Sequence, residues 1–224
     1  MNKIKQMSHL EAEYSEFKNK LLLMASHAET MMVSAINSVI KRDEDLAEET
    51  KKMDSNIDRL EMELDNLGVN ILSQAPLARD LRLITSGMKI SSDLERIGDE
   101  STTIARRSSK LAADPRAIIP VNIERMGKIV GKMLAKSLSA FVSGDTDSAK
   151  NIITKDKEVD ALNKEIRTDL ILAIKQNPNS TESNLNIIFI AKSLERIGDH
   201  SKNIARDAVF LFEAKDIRHP NLSK

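Results

Sequence analysis

Apolar residues recur every three or four positions along most of this 224-residue chain, which is the spacing of amphipathic helices. One such stripe comprises Met53, Ile57, Leu60, Leu64, Leu67 and Ile71. A later one comprises Leu83, Ile90, Leu94, Ile97 and Ile104. Aromatic residues make up only 3% of the chain, and Gly and Pro are scarce. Pattern and composition together predict an all-α protein built from long packed helices.

The sequence contains an internal repeat. Residues 94–106 read LERIGDESTTIAR and residues 194–206 read LERIGDHSKNIAR, so ten of the thirteen positions are identical. With an offset of 102, Asp54 and Asp58 correspond to Asp156 and Asp160. We therefore predict two tandem three-helix bundles, at residues 1–114 and 120–224, joined by a Pro-containing linker.

Helix boundaries can be placed from capping residues. In the first copy we predict helices at about 11–41, from Asp43 to a break at Pro76, and at about 77–111. In the second copy we predict helices at about 122–143, from Asp145 to a break at Pro178, and at about 182–212. Asp43 and Asp145 are suitable N-caps, and Gly144 is a suitable stop for the fourth helix.

Charge and cysteine content exclude several classes of protein. Lys plus Arg and Asp plus Glu are each 34, so the formal net charge is zero, which argues against a general nucleic-acid binder. The absence of Cys excludes disulfides, thiolate metal sites and a Cys nucleophile. We see no signal peptide and no membrane-length apolar run, so we expect a cytoplasmic protein that reaches a membrane only through partners.

Paired carboxylates are the main candidate chemistry. Acids four residues apart share a helix face, and on the third helix of each copy that face is turned roughly 140° from the apolar stripe. Like charges at this spacing repel, and a bound cation would remove the repulsion. Carboxylates select Mg²⁺, Mn²⁺, Ca²⁺ or Fe³⁺, with Zn²⁺ as an opportunistic occupant, and more than one ion could bind. The predicted ligands are Glu95, Asp99, Glu195, Asp199, Asp54, Asp58, Asp156 and Asp160.

Other readings of these acids remain open. They could form a solvated face paired to Arg, in a metal-free helical adaptor. A metal-dependent phosphohydrolase is a further alternative, but it lacks an evident general base beyond more carboxylates. His200 is more typical of a surface residue than of a ligand. There is no Glu-x-x-His, no phosphate-cradling Gly-rich loop and no nucleophile elbow, so we expect a protein without enzymatic activity. Gly98 and Gly198 indicate a close approach by a neighbouring helix.

Three segments resemble the PhoU family of bacterial phosphate-signalling proteins. They are QAPLARDLRLI at 74–84, DLERIGDESTTIAR at 93–106 and SLERIGDHSKNIAR at 193–206. The resemblance covers nearly the whole chain, as two PhoU domains. It implies two pseudo-symmetric three-helix bundles with metal clusters held by the E/D-x-x-x-D acids, which here are Glu95, Asp99, Glu195 and Asp199. The aspartates of the neighbouring helices would complete these clusters.

The resemblance also implies a role at the phosphate-specific ABC transporter and repression of the phosphate-starvation response when phosphate is plentiful. Implied partners are the ATPase subunit of the transporter and the sensor histidine kinase. A homodimer, with a second copy of the chain as partner, is a separate expectation. An accessory protein for another phosphate permease is an alternative within the family. One departure is that Asp80-Leu81-Arg82 corresponds to Ser180-Thr181-Glu182 in the second copy.

Overall fold

The computed structural model describes residues 2–74 and 77–217, and in these ranges the regular structure is entirely helical. The prediction of an all-α fold is thus confirmed. A single turn of 3-10 helix, Pro178–Ser180, precedes the last helix. The helices are α1 (Asn2–Lys41), α2 (Glu44–Lys52), α3 (Asp54–Ser73), α4 (Ala78–Ala112), α5 (Val121–Ser143), α6 (Thr146–Gln176) and α7 (Thr181–Glu213).

The predicted helix caps are present. The Asp43 carboxylate accepts a hydrogen bond from the Leu46 amide at 2.9 Å, and Asp145 accepts one from the Ser148 amide at 3.0 Å. Each satisfies an amide that the first turn of a helix leaves without a backbone partner. Gly144 ends α5 with a φ of 77°, in the left-handed region that glycine adopts without a steric penalty. The predicted break at Pro76 lies outside the described residues.

The second helix of the first copy was predicted to be continuous, and this was wrong. It divides at Met53 into α2 and α3, whereas its counterpart α6 is continuous. At the break, the Met53 amide bonds to the Thr50 carbonyl, and the Met53 carbonyl accepts from the Asn56 amide. The Thr50 hydroxyl also donates to the Leu46 carbonyl at 2.7 Å. A Thr hydroxyl that donates to the carbonyl four residues earlier bends a helix. Backbone hydrogen bonds between residues three apart, as in a 3-10 helix, interrupt the regular α-helical pattern.

Helices α1–α4 form bundle 1 and α5–α7 form bundle 2. The central helices α4 and α7 pack against each other, and the apolar core runs without interruption through both bundles. The predicted stripe of α4 faces this core, with Ile90, Leu94 and Ile97 fully buried. The bundles therefore share one core, and the proposed division at residues 114 and 120 stays a prediction.

The segment between α4 and α5 is fixed to both bundles. The Arg42 guanidinium, at the end of α1, donates to the carbonyls of Asp114 and Ala117. The Asp114 carboxylate accepts a hydrogen bond from the Ser183 hydroxyl of α7. These hydrogen bonds satisfy polar groups of the linker and hold the linker against both bundles.

Within residues 2–74 and 77–217, no helix is both long enough and apolar enough to cross a bilayer.

Candidate metal-binding faces

Acidic face 1 lies along the seam between α3 and α4. It consists of Asp54, Asp58, Glu61, Glu95 and Asp99. The α3 acids share one side of that helix because they are spaced by three or four residues. The structure thus brings together the two predicted pairs of bundle 1 and adds Glu61, which follows them by one turn.

The carboxylates of acidic face 1 repel one another in a partly dehydrated seam. Burial raises the pKa of Asp54, opposed by the Thr102 hydroxyl and reinforced by the charges of neighbouring acids. Burial also raises the pKa of Glu95, and the Asp99 charge adds to it. The pKa of Glu61 is raised for the same reasons, with Asp65 as its strongest repulsive neighbour. A bound cation would stabilise the charged form of all these groups.

Gly98 allows α3 to approach α4 at this face. A Cβ atom added to Gly98 would lie 3.1 Å from Ile57 Cδ1 and 3.6 Å from Asp54 Oδ1. The predicted close approach is therefore present in bundle 1. At Gly198 the nearest atom would be Val159 Cγ1, at an ordinary 3.6 Å, so the seam of bundle 2 is looser.

Acidic face 2 lies along the seam between α6 and α7 and consists of Asp156, Asp160, Glu195 and Asp199. Burial raises the pKa of Asp160, and the charges of the other three acids add to it, while Lys202 opposes them. All four predicted ligands of bundle 2 are therefore brought together.

A lysine lies within acidic face 2. The Lys202 ammonium donates to Asp199 Oδ1 at 2.6 Å and also to Asp156 Oδ2, so it bridges the two helices. Its side chain is only 14% exposed. Burial alone would lower the pKa of Lys202, but the two hydrogen bonds outweigh burial and raise it. The position equivalent to Lys202 in bundle 1 is Thr102, which carries no charge.

The two matched arginines also differ. Arg96 stays on its own face, with Nε 3.3 Å from Glu95 Oε2 and Nη1 3.7 Å from Asp99 Oδ2, and its side chain is 60% exposed. Arg196 instead donates to Glu100 Oε1 of bundle 1 at 2.9 Å. In the repeat, Glu100 of bundle 1 corresponds to His200 of bundle 2. Arg96 therefore has no equivalent carboxylate in bundle 2 to which it could donate.

Comparison with known protein families finds one matching domain in each copy of the repeat. The family model described as the PhoU domain matches residues 21–108 and 123–208. The chain belongs to the PhoU family. The resemblance read from the ERIGD segments is thus confirmed, and both segments lie inside the matched ranges.

Relatives of the chain match over nearly its full length. A phosphate-specific transport system accessory protein PhoU homolog from Pseudomonas aeruginosa is 37% identical, covering 95% of this chain and 89% of the relative. A PhoU homolog of the same description from Clostridium acetobutylicum is 32% identical, covering 92% of this chain and 95% of the relative.

Two crystal structures share the PhoU architecture. The PhoU of Pseudomonas aeruginosa matches with a TM-score of 0.89 and 36% identity, covering 92% of this chain and 99% of that one. The phosphate transport system regulatory protein PhoU from Streptococcus pneumoniae matches with a TM-score of 0.86 and 25% identity, covering 93% and 99%. The prediction of tandem PhoU-type bundles is confirmed by both.

The donor sets of this PhoU protein differ in their fit to a metal. Face 1 offers only carboxylate oxygens. Glu95 Oε2 is buried and accepts no hydrogen bond from the described residues, although Arg96 Nε lies 3.3 Å away, and such an oxygen suits a hard cation. Face 2 already holds an ammonium group between two of its acids. Among the described residues, no three His, Cys, Asp or Glu side chains converge as a preformed site, so ligation requires side-chain rotation. Metal ligation by the eight acids stays a prediction.

Sequence reasoning missed the polar seam between the bundles. His200 Nδ1 lies 2.8 Å from Asp93 Oδ1, and Asn203 donates to the same oxygen at 3.3 Å. A signal was present, since the repeated thirteen-residue segment differs at only three positions. In the second copy these are His200, Lys202 and Asn203. His200 and Asn203 reach Asp93 across the seam, and Lys202 bridges Asp156 and Asp199 within bundle 2.

Proposed function

We propose that this chain represses the phosphate-starvation response and modulates the phosphate ABC transporter, as a metal-binding cytoplasmic adaptor without enzymatic activity. One observation carries the proposal: both halves of the chain match the PhoU domain, in a chain of the same extent as relatives described as phosphate-specific transport accessory proteins. On this proposal its partners are the transporter ATPase subunit and the sensor histidine kinase, and it acts as a homodimer.

The architecture supports an adaptor. A continuous core and the polar seam between α4 and α7 hold the two bundles in a fixed relation, so two partner-binding surfaces would keep a constant separation. The acidic faces lie on the seams between neighbouring helices. A bound Fe, Mn, Mg or Zn ion on face 1 would join α3 to α4, whereas on face 2 it would join α6 to α7 only by displacing the Lys202 ammonium. Carboxylate ligands would supply binding and orientation, and the metal would supply electrostatic stabilisation of the seam.

Genetic complementation tests the regulatory role. A bacterium that lacks its own PhoU protein and carries a phosphate-starvation reporter should be repressed at high phosphate when this chain is expressed. A chain that accumulates in folded form but leaves the reporter active at high phosphate would contradict the proposal. Co-purification with the ATPase subunit and with the sensor kinase, each expressed alone, separates the two partners.

The metal requirement is tested in the same strain. Glu95→Gln with Asp99→Asn removes two carboxylates of face 1 without changing side-chain size, and we expect it to weaken repression. Exposed Glu49, which makes no ion pair with a described residue, gives the matched control Glu49→Gln. Full repression by the double variant, with no metal in either protein by mass spectrometry, would reduce the acids to a solvated surface and leave a metal-free adaptor.

A further inference from the structure

The two acidic faces occupy equivalent places in the duplicated fold but have different charge balances. On face 1 the nearest cation is Arg96, whose side chain is 60% exposed and makes no contact shorter than 3.3 Å with the acids. An exposed pair of this kind is screened by water and contributes little. Face 1 therefore remains a strongly negative surface.

On face 2 the neutralising cation is part of the chain. Lys202 bridges Asp199 and Asp156 with hydrogen bonds, and its side chain and that of Asp156 are each only 14% exposed. Charge-assisted hydrogen bonds in a dehydrated seam are considerably stronger than exposed ion pairs. The ammonium group thus lies between the carboxylates of two helices, where a bridging metal ion would have to lie.

Three other differences between the copies change the charge in the same direction. Glu61, which belongs to face 1, corresponds to Asn163, and Asp65 corresponds to Arg167. Lys192 forms an ion pair with Glu195 Oε2 of face 2, whereas the equivalent residue of bundle 1 is the uncharged Ser92. Each difference reduces the negative charge or the cation demand of face 2 relative to face 1.

We propose that Lys202 is a built-in counter-cation that occupies the metal position between Asp156 and Asp199, so that bundle 2 is closed to metal and only bundle 1 takes it up. The assignment of metal to bundle 1 rests on the proposed function, whereas the role of Lys202 rests on the contacts of acidic face 2. The two bundles of one chain then have different tasks: one responds to metal and the other is fixed independently of it.

Binding of Mn²⁺ to the chelator-treated full chain tests the proposal, with bound ion counted by equilibrium dialysis. Glu195→Gln with Asp199→Asn should leave the bound Mn²⁺ unchanged, whereas Glu95→Gln with Asp99→Asn should abolish it. Lys202→Thr, which copies Thr102, should increase the bound Mn²⁺ about twofold by freeing the carboxylates of face 2. Adding Glu195→Gln and Asp199→Asn to Lys202→Thr should remove that increase.

A loss of about half of the bound Mn²⁺ from the Glu195→Gln/Asp199→Asn variant would overturn the proposal, because bundle 2 would then bind metal with Lys202 present. The metal-binding function would survive that result. A Lys202→Thr variant that is folded and gains no Mn²⁺, while face 1 binds normally, would equally overturn it.

Unfolding in chelator tests the role of Lys202 when no metal is present. Lys202→Thr should lower the urea midpoint, because Asp156 and Asp199 lose their counter-ion. Lys164→Thr, at an exposed lysine of α6 that pairs with no described acid, should leave the midpoint nearly unchanged. Equal midpoints for the two variants would overturn the counter-cation role. Absence of Mn²⁺ binding in every variant, with the midpoint of Lys202→Thr lowered, would reject the metal function and retain the role of Lys202.

Discussion

Asp93 of bundle 1 accepts hydrogen bonds from two residues of bundle 2, His200 at 2.8 Å and Asn203 at 3.3 Å. The Asp93 side chain is 14% exposed, so its carboxylate depends on these partners for most of its hydrogen bonding. The contact joins α4 to α7 at the middle of the molecule. It also shows that His200, the residue directly after Asp199, points towards α4, whereas Asp199 belongs to the seam with α6.

We expect Asp93→Ala to destabilise the chain by about 0.5–1.5 kcal/mol, because it removes the acceptor of the half-buried His200 and Asn203 side chains. Asp169→Ala, at an exposed acid of α6 that pairs with no described cation, should change stability by less than about 0.5 kcal/mol. Urea unfolding measures both. A double-mutant cycle with His200→Ala should give a coupling free energy of at least about 0.5 kcal/mol, and a coupling near zero would show that the contact does not stabilise the seam.

Repulsion within acidic face 1 gives a prediction for the metal-free protein. The pKa of Glu95 is raised by burial and by Asp99, so its charged form is disfavoured in the folded state. We expect Glu95→Gln to stabilise the metal-free chain by about 0.5–1 kcal/mol at neutral pH. The gain should disappear as the pH falls through the raised pKa towards the ordinary value, because Glu95 is then protonated and neutral as well.

The measurement is urea unfolding in chelator between neutral pH and about pH 4. Glu49→Gln should show no such gain at any pH, because Glu49 is exposed and unpaired among the described residues. Loss of stability from Glu95→Gln at neutral pH would mean that Arg96 compensates the Glu95 charge fully in the folded state.

Much of the fold was predictable because its determinants are local. Asp43, Asp145 and Gly144 act within one turn of their own helices, and the acidic pairs follow from four-residue spacing. The break at Met53 was not predictable from apolar spacing, which continues across it. Lys202 contacts a residue 46 positions away in the chain, and His200 contacts one 107 positions away. These contacts depend on how different helices pack together, and the periodicity within one helix does not contain that information.

The mid-helix glycines of the two bundles should respond differently to alanine. Gly198→Ala meets only ordinary contacts, so the higher helix propensity of Ala should stabilise the chain by about 0.5–1 kcal/mol. At Gly98 the added methyl group would lie 3.1 Å from Ile57 Cδ1, which belongs to the buried core. We expect Gly98→Ala to be less stable than Gly198→Ala by at least about 1 kcal/mol, as measured by thermal and urea unfolding. Equal effects would mean that α3 moves away from α4 without strain.

The C-terminus of α7 offers a stabilising substitution away from both acidic faces. Ala214 caps this helix with a φ of 55°, in the left-handed region, while its amide bonds to the Phe210 carbonyl at 3.0 Å. The Cβ atom makes this conformation unfavourable by roughly 1 kcal/mol, and glycine removes the penalty. We therefore expect Ala214→Gly to stabilise the chain by about 0.5–1 kcal/mol in urea unfolding. Ala113 caps α4 with a φ of −72°, so Ala113→Gly should give no gain because it only adds freedom to the unfolded chain. A gain from both variants would show that helix-end flexibility, and not the left-handed backbone of Ala214, controls stability at these caps.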